Sequence, residues 1–185
     1  MTTIRTRIAA AGVAALLVAG LATVTASPVS AVGTLKVSNN TSIKCQFLTY
    51  STPTDWYFPA TGTPKGLVWL QHGFVESNNA WTQYGPQLAA AGYVAFATTL
   101  PTADMFGCTV ENVGNNTLYL NNIATIFGQA GSGSGALVSS YNDAARKVGR
   151  TGLAFPSNWA FVGHSAGGEA VTYIANRIRT AYPSA

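Results

Sequence analysis

Charge is scarce in this chain. Asp, Glu, Lys and Arg make up 9% of its 185 residues, against roughly 25% in an average soluble domain. Disorder, which needs abundant charge and little apolar content, is excluded by the 48% of hydrophobic residues. The formal charge of +4 is not gathered into any cluster of Lys and Arg, so neither nucleic acid nor an anionic membrane surface is an expected partner. Histidine is limited to His72 and His164, and cysteine to Cys45 and Cys108. No grouping of these with the acids has metal-ligand or nucleotide spacing, so no metal and no cofactor are expected. The longest apolar run near the N-terminus, residues 8–21, falls short of the roughly twenty residues of a membrane span.

That run has a different use. Arg5 and Arg7 precede it and Val29-Ser30-Ala31 follows it, the order of a secretory signal with a small-residue cleavage site. Residues 1–31 are therefore expected to be removed, with Ala26 as an alternative cleavage point. Residues 32–185 are expected to be the N-terminal part of a single domain, and the mature chain to be extracellular without a stable membrane anchor. Loss of Arg5 and Arg7 takes ten basic residues to eight against six acids, a net +2. Export suits Cys45 and Cys108, which can pair in an oxidising compartment; two buried free thiols are the alternative.

Among the remaining residues, 34–40 and 42–50 have strand character, with Asn39-Asn40 as the turn of a hairpin. Residues 52–64 hold three prolines and one glycine and read as a loop, with Trp56, Tyr57 and Phe58 packed beneath it. Residues 66–71 form an apolar strand that ends at His72-Gly73-Phe74. A helix capped by Asn78-Asn79 follows, with Trp81, Tyr84, Leu88 and Ala91 on one face and Gly92 as its stop. Residues 93–98 are the next buried strand. Strand, helix and strand with short joints make a βαβ unit and imply a parallel sheet. Residues 113–127 are weakly helical. The glycine-rich stretch 128–135 contains Gly131, Gly133 and Ala136 in a G-x-G-x-x-A pattern, but no strand precedes it, so it reads as a flexible loop. A further helix covers 136–148.

The most informative stretch is Gly163-His164-Ser165-Ala166-Gly167. It fits G-x-S-x-G, in which a serine sits on a strained turn between a strand and a helix. Residues 158–162 are an apolar strand-like run, and Val171, Ile174, Ala175, Ile178 and Tyr182 have helical spacing behind the turn. Gly163 and Gly167 are required where a Cβ would strike the neighbouring backbone, and Gly168 is expected to let the helix pack close. Serine needs oxyanion donors to react. The backbone N–H of Ala166 is one candidate and that of Phe74, after Gly73, the other.

With Gly66 to Phe74, the βαβ unit and Gly163-His164-Ser165-Ala166-Gly167-Gly168 together, the chain resembles an α/β-hydrolase. Within that superfamily it resembles secreted bacterial esterases of the dienelactone-hydrolase-like and polyester-hydrolase-like kinds. The resemblance implies an α/β fold with a mostly parallel sheet flanked by helices. It also implies hydrolysis of a small-molecule or polymeric carboxylic ester through an acyl-enzyme on Ser165. Its triad order is Ser, then Asp or Glu, then His. Here the chain departs from the pattern. The twenty residues after Ser165 contain one acid, Glu169, and no histidine. The C-terminal strands, with the triad acid and base, are thus expected to be missing from an incomplete hydrolase fold. A non-catalytic fragment or degenerate hydrolase that at most binds an acyl ligand is the alternative. An unpaired sheet edge at residues 159–162 is expected to promote self-association.

Overall fold

A computed structural model describes residues 33–111 and 115–185; the segment expected to be a signal, and the start assigned above to the helix at 113, lie outside them. Five strands form one sheet: β1 (Thr34–Cys45), β2 (Leu48–Pro59), β3 (Leu67–Gln71), β4 (Val94–Thr98) and β5 (Trp159–Gly163). Their order across the sheet is β1-β2-β4-β3-β5. β1 with β2 and β2 with β4 are antiparallel, whereas β3 is parallel to both β4 and β5. The helices are α1 (Tyr84–Ala90), α2 (Thr117–Gly131), α3 (Gly135–Lys147) and α4 (Ala166–Ala181), with a short 3-10 turn at Asn78–Trp81.

Alternation along the strands splits the core in two. Trp56, Phe58, Leu67, Trp69 and Phe96 point to one face and pack with Ile123, Phe127, Leu137, Tyr141 and Ile174 of α2, α3 and α4. Tyr57, Val68, Leu70, Ala95 and Ala97 point to the other and meet Trp81 and Ala89. The connection from β3 to β4 runs over the α1 face. That from β4 to β5 returns over the opposite face and steps past β3. The loops leaving the carboxyl ends of β3 and β5 therefore diverge to opposite faces, which opens a crevice where doubly wound sheets bind ligands.

Several sequence expectations are corrected. Asn39-Asn40 is not a turn: β1 continues to Cys45 and the hairpin turns at Gln46–Phe47. Asn39 instead donates from Nδ2 to Ser140 O (2.7 Å) and accepts from Trp56 Nε1 (3.0 Å), which ties the sheet to α3. The loop assigned to 52–64 is largely strand, since β2 runs to Pro59 and buries Trp56, Tyr57 and Phe58. Pro53 is tolerated because it lies one residue beyond the last β2–β4 pair, Thr54↔Thr98. Ser77, not Asn78 or Asn79, caps the 3-10 turn, accepting from Asn79 N at 3.3 Å. The buried face that follows is Trp81, Gly85 and Ala89, leaving Tyr84 and Ala91 exposed.

Most of the glycine-rich stretch is also structured, because α2 extends through Gly131. Gly128 there faces the ring of Tyr182 so closely that an added Cβ would overlap it. β5 is not fully buried: it pairs only with β3 among the described residues, and Ala160 and Val162 are exposed. Cys45 and Cys108 form a disulfide, with Cα atoms 5.7 Å apart.

Candidate active site

Ser165 sits between β5 and α4 with φ 51° and ψ −124°. Few L-residues adopt such angles, and a strained residue between strand and helix is a functional candidate. The surrounding glycines explain how the turn fits. A Cβ on Gly163 would overlap the carbonyl of Gly167, and one on Gly167 would overlap the carbonyls of His72 and Gln71. Gly168 differs from expectation, since its Cβ would stand at an ordinary 3.4 Å from Gly163 O. The turn is locked by Gly167 N–H donating to His164 O (2.9 Å) and Gly168 N–H donating to Ser165 O (2.7 Å).

The loop after β3 lies alongside. The β3–β5 ladder ends at Gln71↔Gly163, and one further bond, His164 N–H to Gln71 O at 3.1 Å, carries the pairing to the elbow. Phe74 is on this loop and its ring is half exposed, whereas Ala166 is buried at the start of α4. Neither the Phe74 nor the Ala166 backbone N–H donates a hydrogen bond among the described residues. Ser165 is exposed, and its Oγ likewise makes no hydrogen bond there.

Neither histidine reaches that oxygen as a hydrogen-bond partner. His72 is fully buried, and its Nδ1 lies 2.8 Å from Gly73 O. A carbonyl only accepts, so Nδ1 is the donor in that contact, while Nε2 meets no partner at ordinary hydrogen-bond geometry among the described residues. Burial holds the His72 pKa below the usual imidazole value. His164 is exposed, and its Nδ1 is 3.1 Å from Glu76 Oε2. The same Glu76 oxygen accepts the Gly73 N–H at 2.7 Å. That bond, followed by the His164 contact, holds the Glu76 carboxyl below its ordinary value.

Sequence reasoning did not find Glu76, because its partner is 88 positions away and no local spacing signals the pair. Glu169 is exposed in the first turn of α4. No cluster of three or more His, Cys, Asp or Glu side chains suited to a metal occurs among the described residues. No helix among them is long and apolar enough to cross a membrane.

No family profile and no curated protein matches this chain. Solved structures do. A structure of the esterase Est22 with p-nitrophenol aligns with a TM-score of 0.53 and 14% identity, over 82% of this chain and 41% of that one. A bacterial heroin esterase aligns with a TM-score of 0.53 and 14% identity, over 82% of this chain and 42% of that one. The fold is thus of the α/β-hydrolase type, and the chain spans about two-fifths of the length of these structures.

Proposed function

We propose that this protein is a serine ester hydrolase of the α/β-hydrolase type, exported from the cell, with Ser165 as its nucleophile. The observation that carries this is the strained elbow. It exposes Ser165 at the carboxyl end of the sheet; the backbone N–H groups of Ala166, next in the chain, and of Phe74, on the adjoining loop after β3, donate no hydrogen bond among the described residues. In this reading Ser165 Oγ attacks the carbonyl carbon of an ester. The two N–H groups hold the oxygen as it gains negative charge. The tetrahedral intermediate collapses to an acyl-enzyme and the alcohol leaves; water then attacks the acyl carbon and frees the acid and Ser165. The esterase neighbours named above support the substrate class.

A base must take the Ser165 proton, and neither His72 nor His164 is hydrogen-bonded to it. In this reading the 185-residue chain by itself supplies neither the acid nor the base of a triad to Ser165. Loss of a triad base typically costs about 10⁴- to 10⁶-fold. Hydrolysis of a p-nitrophenyl ester by the purified chain is accordingly expected to be barely above background. A soluble fluorophosphonate probe at high concentration tests the assignment by mass spectrometry. A slow adduct confined to Ser165 and absent from Ser165→Ala is expected. No adduct, or one on another residue, overturns the proposal.

A further inference from the structure

The carboxyl end of the sheet carries a second feature. β1 is antiparallel to β2 and β2 to β4, so β1 points the same way as β4, β3 and β5. The tip of the β1–β2 hairpin therefore projects at the end of the sheet where Ser165 emerges. The loop after β4 and the loop after β3 leave from that same end. On these three segments stand Phe47 and Leu48, Met105 and Phe106, and Phe74 and Val75, all exposed. Phe47 is 89%, Met105 96% and Phe106 76% accessible to water. Large apolar side chains grouped in this way on a soluble protein mark a contact surface.

The three segments are fastened to one another. The Cys45–Cys108 disulfide joins the hairpin to the loop after β4. Gln46 Nε2 donates to Phe106 O at 2.7 Å. Val75 N–H donates to Thr102 Oγ1 at 3.1 Å, which ties the loop after β3 to the loop after β4. An open groove of about 440 Å³ between hairpin tip and loop is lined by Cys45, Met105, Phe106 and Leu118. The apolar side chains thus stand on a braced rim that runs from the hairpin tip to the segment holding Phe74.

Charge selects what this rim can meet. Positions 46–48, 74–75 and 104–107 contain no Lys or Arg; the exposed Lys44, farther back on β1, lines a separate groove with Asn122 and Ile126 of α2. Asp104 turns its carboxylate back to accept from Phe106 N–H (2.7 Å) and Tyr50 Oη (3.4 Å). Glu76 is engaged by Gly73 and His164. A rim without cations gains nothing from anionic lipid headgroups, whereas burial of its apolar side chains against a neutral apolar phase is favourable. We propose that this rim docks the protein onto the surface of a neutral, water-insoluble ester, with Ser165 facing that surface. The proposal rests on the esterase reading and adds to it that the substrate is presented as a phase, not as single dissolved molecules.

The test uses the Ser165→Ala chain, so that no hydrolysis alters the surface, and measures partition onto emulsified tributyrin by flotation. Zwitterionic and anionic phospholipid vesicles serve as comparison surfaces. The chain is expected to bind tributyrin over both vesicles, with no loss on adding salt. The triple variant Phe47→Ser, Met105→Ser, Phe106→Ser is expected to partition about 100-fold less, as three large apolar groups leave the contact. Its melting should be unchanged, because those side chains are already in water. If the triple variant melts early, the three single variants are read in its place.

No measurable partition of the parent, equal partition of parent and variants, or a preference for anionic vesicles each overturns the proposal. So does a dimer seen by light scattering that the rim substitutions disperse, since the rim would then be a contact between copies. The esterase reading fails separately. Absence of a Ser165 adduct with the soluble probe says nothing against partition, and loss of partition leaves that adduct in place.

Discussion

Gly167 and Gly168 stand side by side in the first turn of α4, yet alanine at each should have opposite effects. At Gly167 a new Cβ would overlap two carbonyl oxygens, those of His72 and Gln71. Neither can easily withdraw: Gln71 O accepts His164 N–H at 3.1 Å, and His72 O accepts from Gln71 Nε2 at 3.1 Å. Overpacking costs ~1–3 kcal/mol and each lost hydrogen bond ~1 kcal/mol, so Gly167→Ala should lose about 3 kcal/mol or more. For a domain of this size that lowers Tm by roughly 6–12 °C. At Gly168 the new Cβ would be 3.4 Å from Gly163 O, an ordinary contact. Alanine there restricts the unfolded chain and favours the helix, a gain of ~0.5–1 kcal/mol. Urea unfolding followed by far-UV circular dichroism measures both, with the slope m confirming a common unfolding transition. A Gly167→Ala protein as stable as the parent, or a Gly168→Ala protein destabilised by as much as Gly167→Ala, would refute the account of how the elbow is packed.

Three further outcomes follow from the same geometry. The Cys45–Cys108 bond closes a loop with a sequence separation of 63, worth ~4 kcal/mol on the chain-entropy estimate; denatured, unreduced protein should show no free thiol, and reduction should lower stability by about that amount. Burial depresses the His72 pKa, so stability from this group is fully present above the unfolded value of ~6.5. It is lost as pH falls below that value, where the unfolded chain takes up a proton that folded His72 refuses; His72→Asn, which can still donate to Gly73 O, should flatten the urea-midpoint difference between neutral and mildly acidic buffer. Protein recovered from culture medium should begin at Val32 by mass spectrometry, and a retained Met1 would reject export.

The elbow was legible in the sequence because its constraints are local. Two glycines within five positions, with a strand signal before and a helix signal after, admit few other backbones. The βαβ unit was legible for the same reason, through short apolar runs separated by a stop at Gly92, whose φ is 94°. What could not be read depends on distant partners. Asn39 looks like a turn residue until Trp56 and Ser140 are placed beside it. Pro53 looks like a strand breaker until β2 is seen to outrun β4. Gly128 and Gly131 look flexible until the end of the chain packs on them, Gly128 against Tyr182 and Gly131 against Ala185. In each case tertiary contact outweighed local propensity, which is small per residue. Glu76 belongs with these, since only the fold brings it to His164.

β5 raises the last expectation. Trp159 to Gly163 pairs on one side with β3, and among the described residues its other side has no strand. Its faces alternate, with Trp159 and Phe161 packed against the large core and Ala160 and Val162 exposed. Val162 keeps 41% of its surface in water. α4 follows directly and covers the inner face, but a helix cannot supply the N–H and C=O groups that the open edge requires. An apolar, unpaired edge strand without charge is a template for another strand. The purified 185-residue chain should therefore self-associate at micromolar concentration. A Lys at an exposed edge position is the device natural sheets use against such pairing, so Val162→Lys should shift the chain toward monomer without loss of cooperative unfolding. The rim substitutions Phe47→Ser, Met105→Ser and Phe106→Ser should leave this association unchanged, because they lie on other segments. Light scattering across a dilution series reads the result. A parent chain that is already monomeric at micromolar concentration, with a sharp cooperative melt, would mean that the edge of β5 is satisfied in solution and that the reasoning from its open ladder fails.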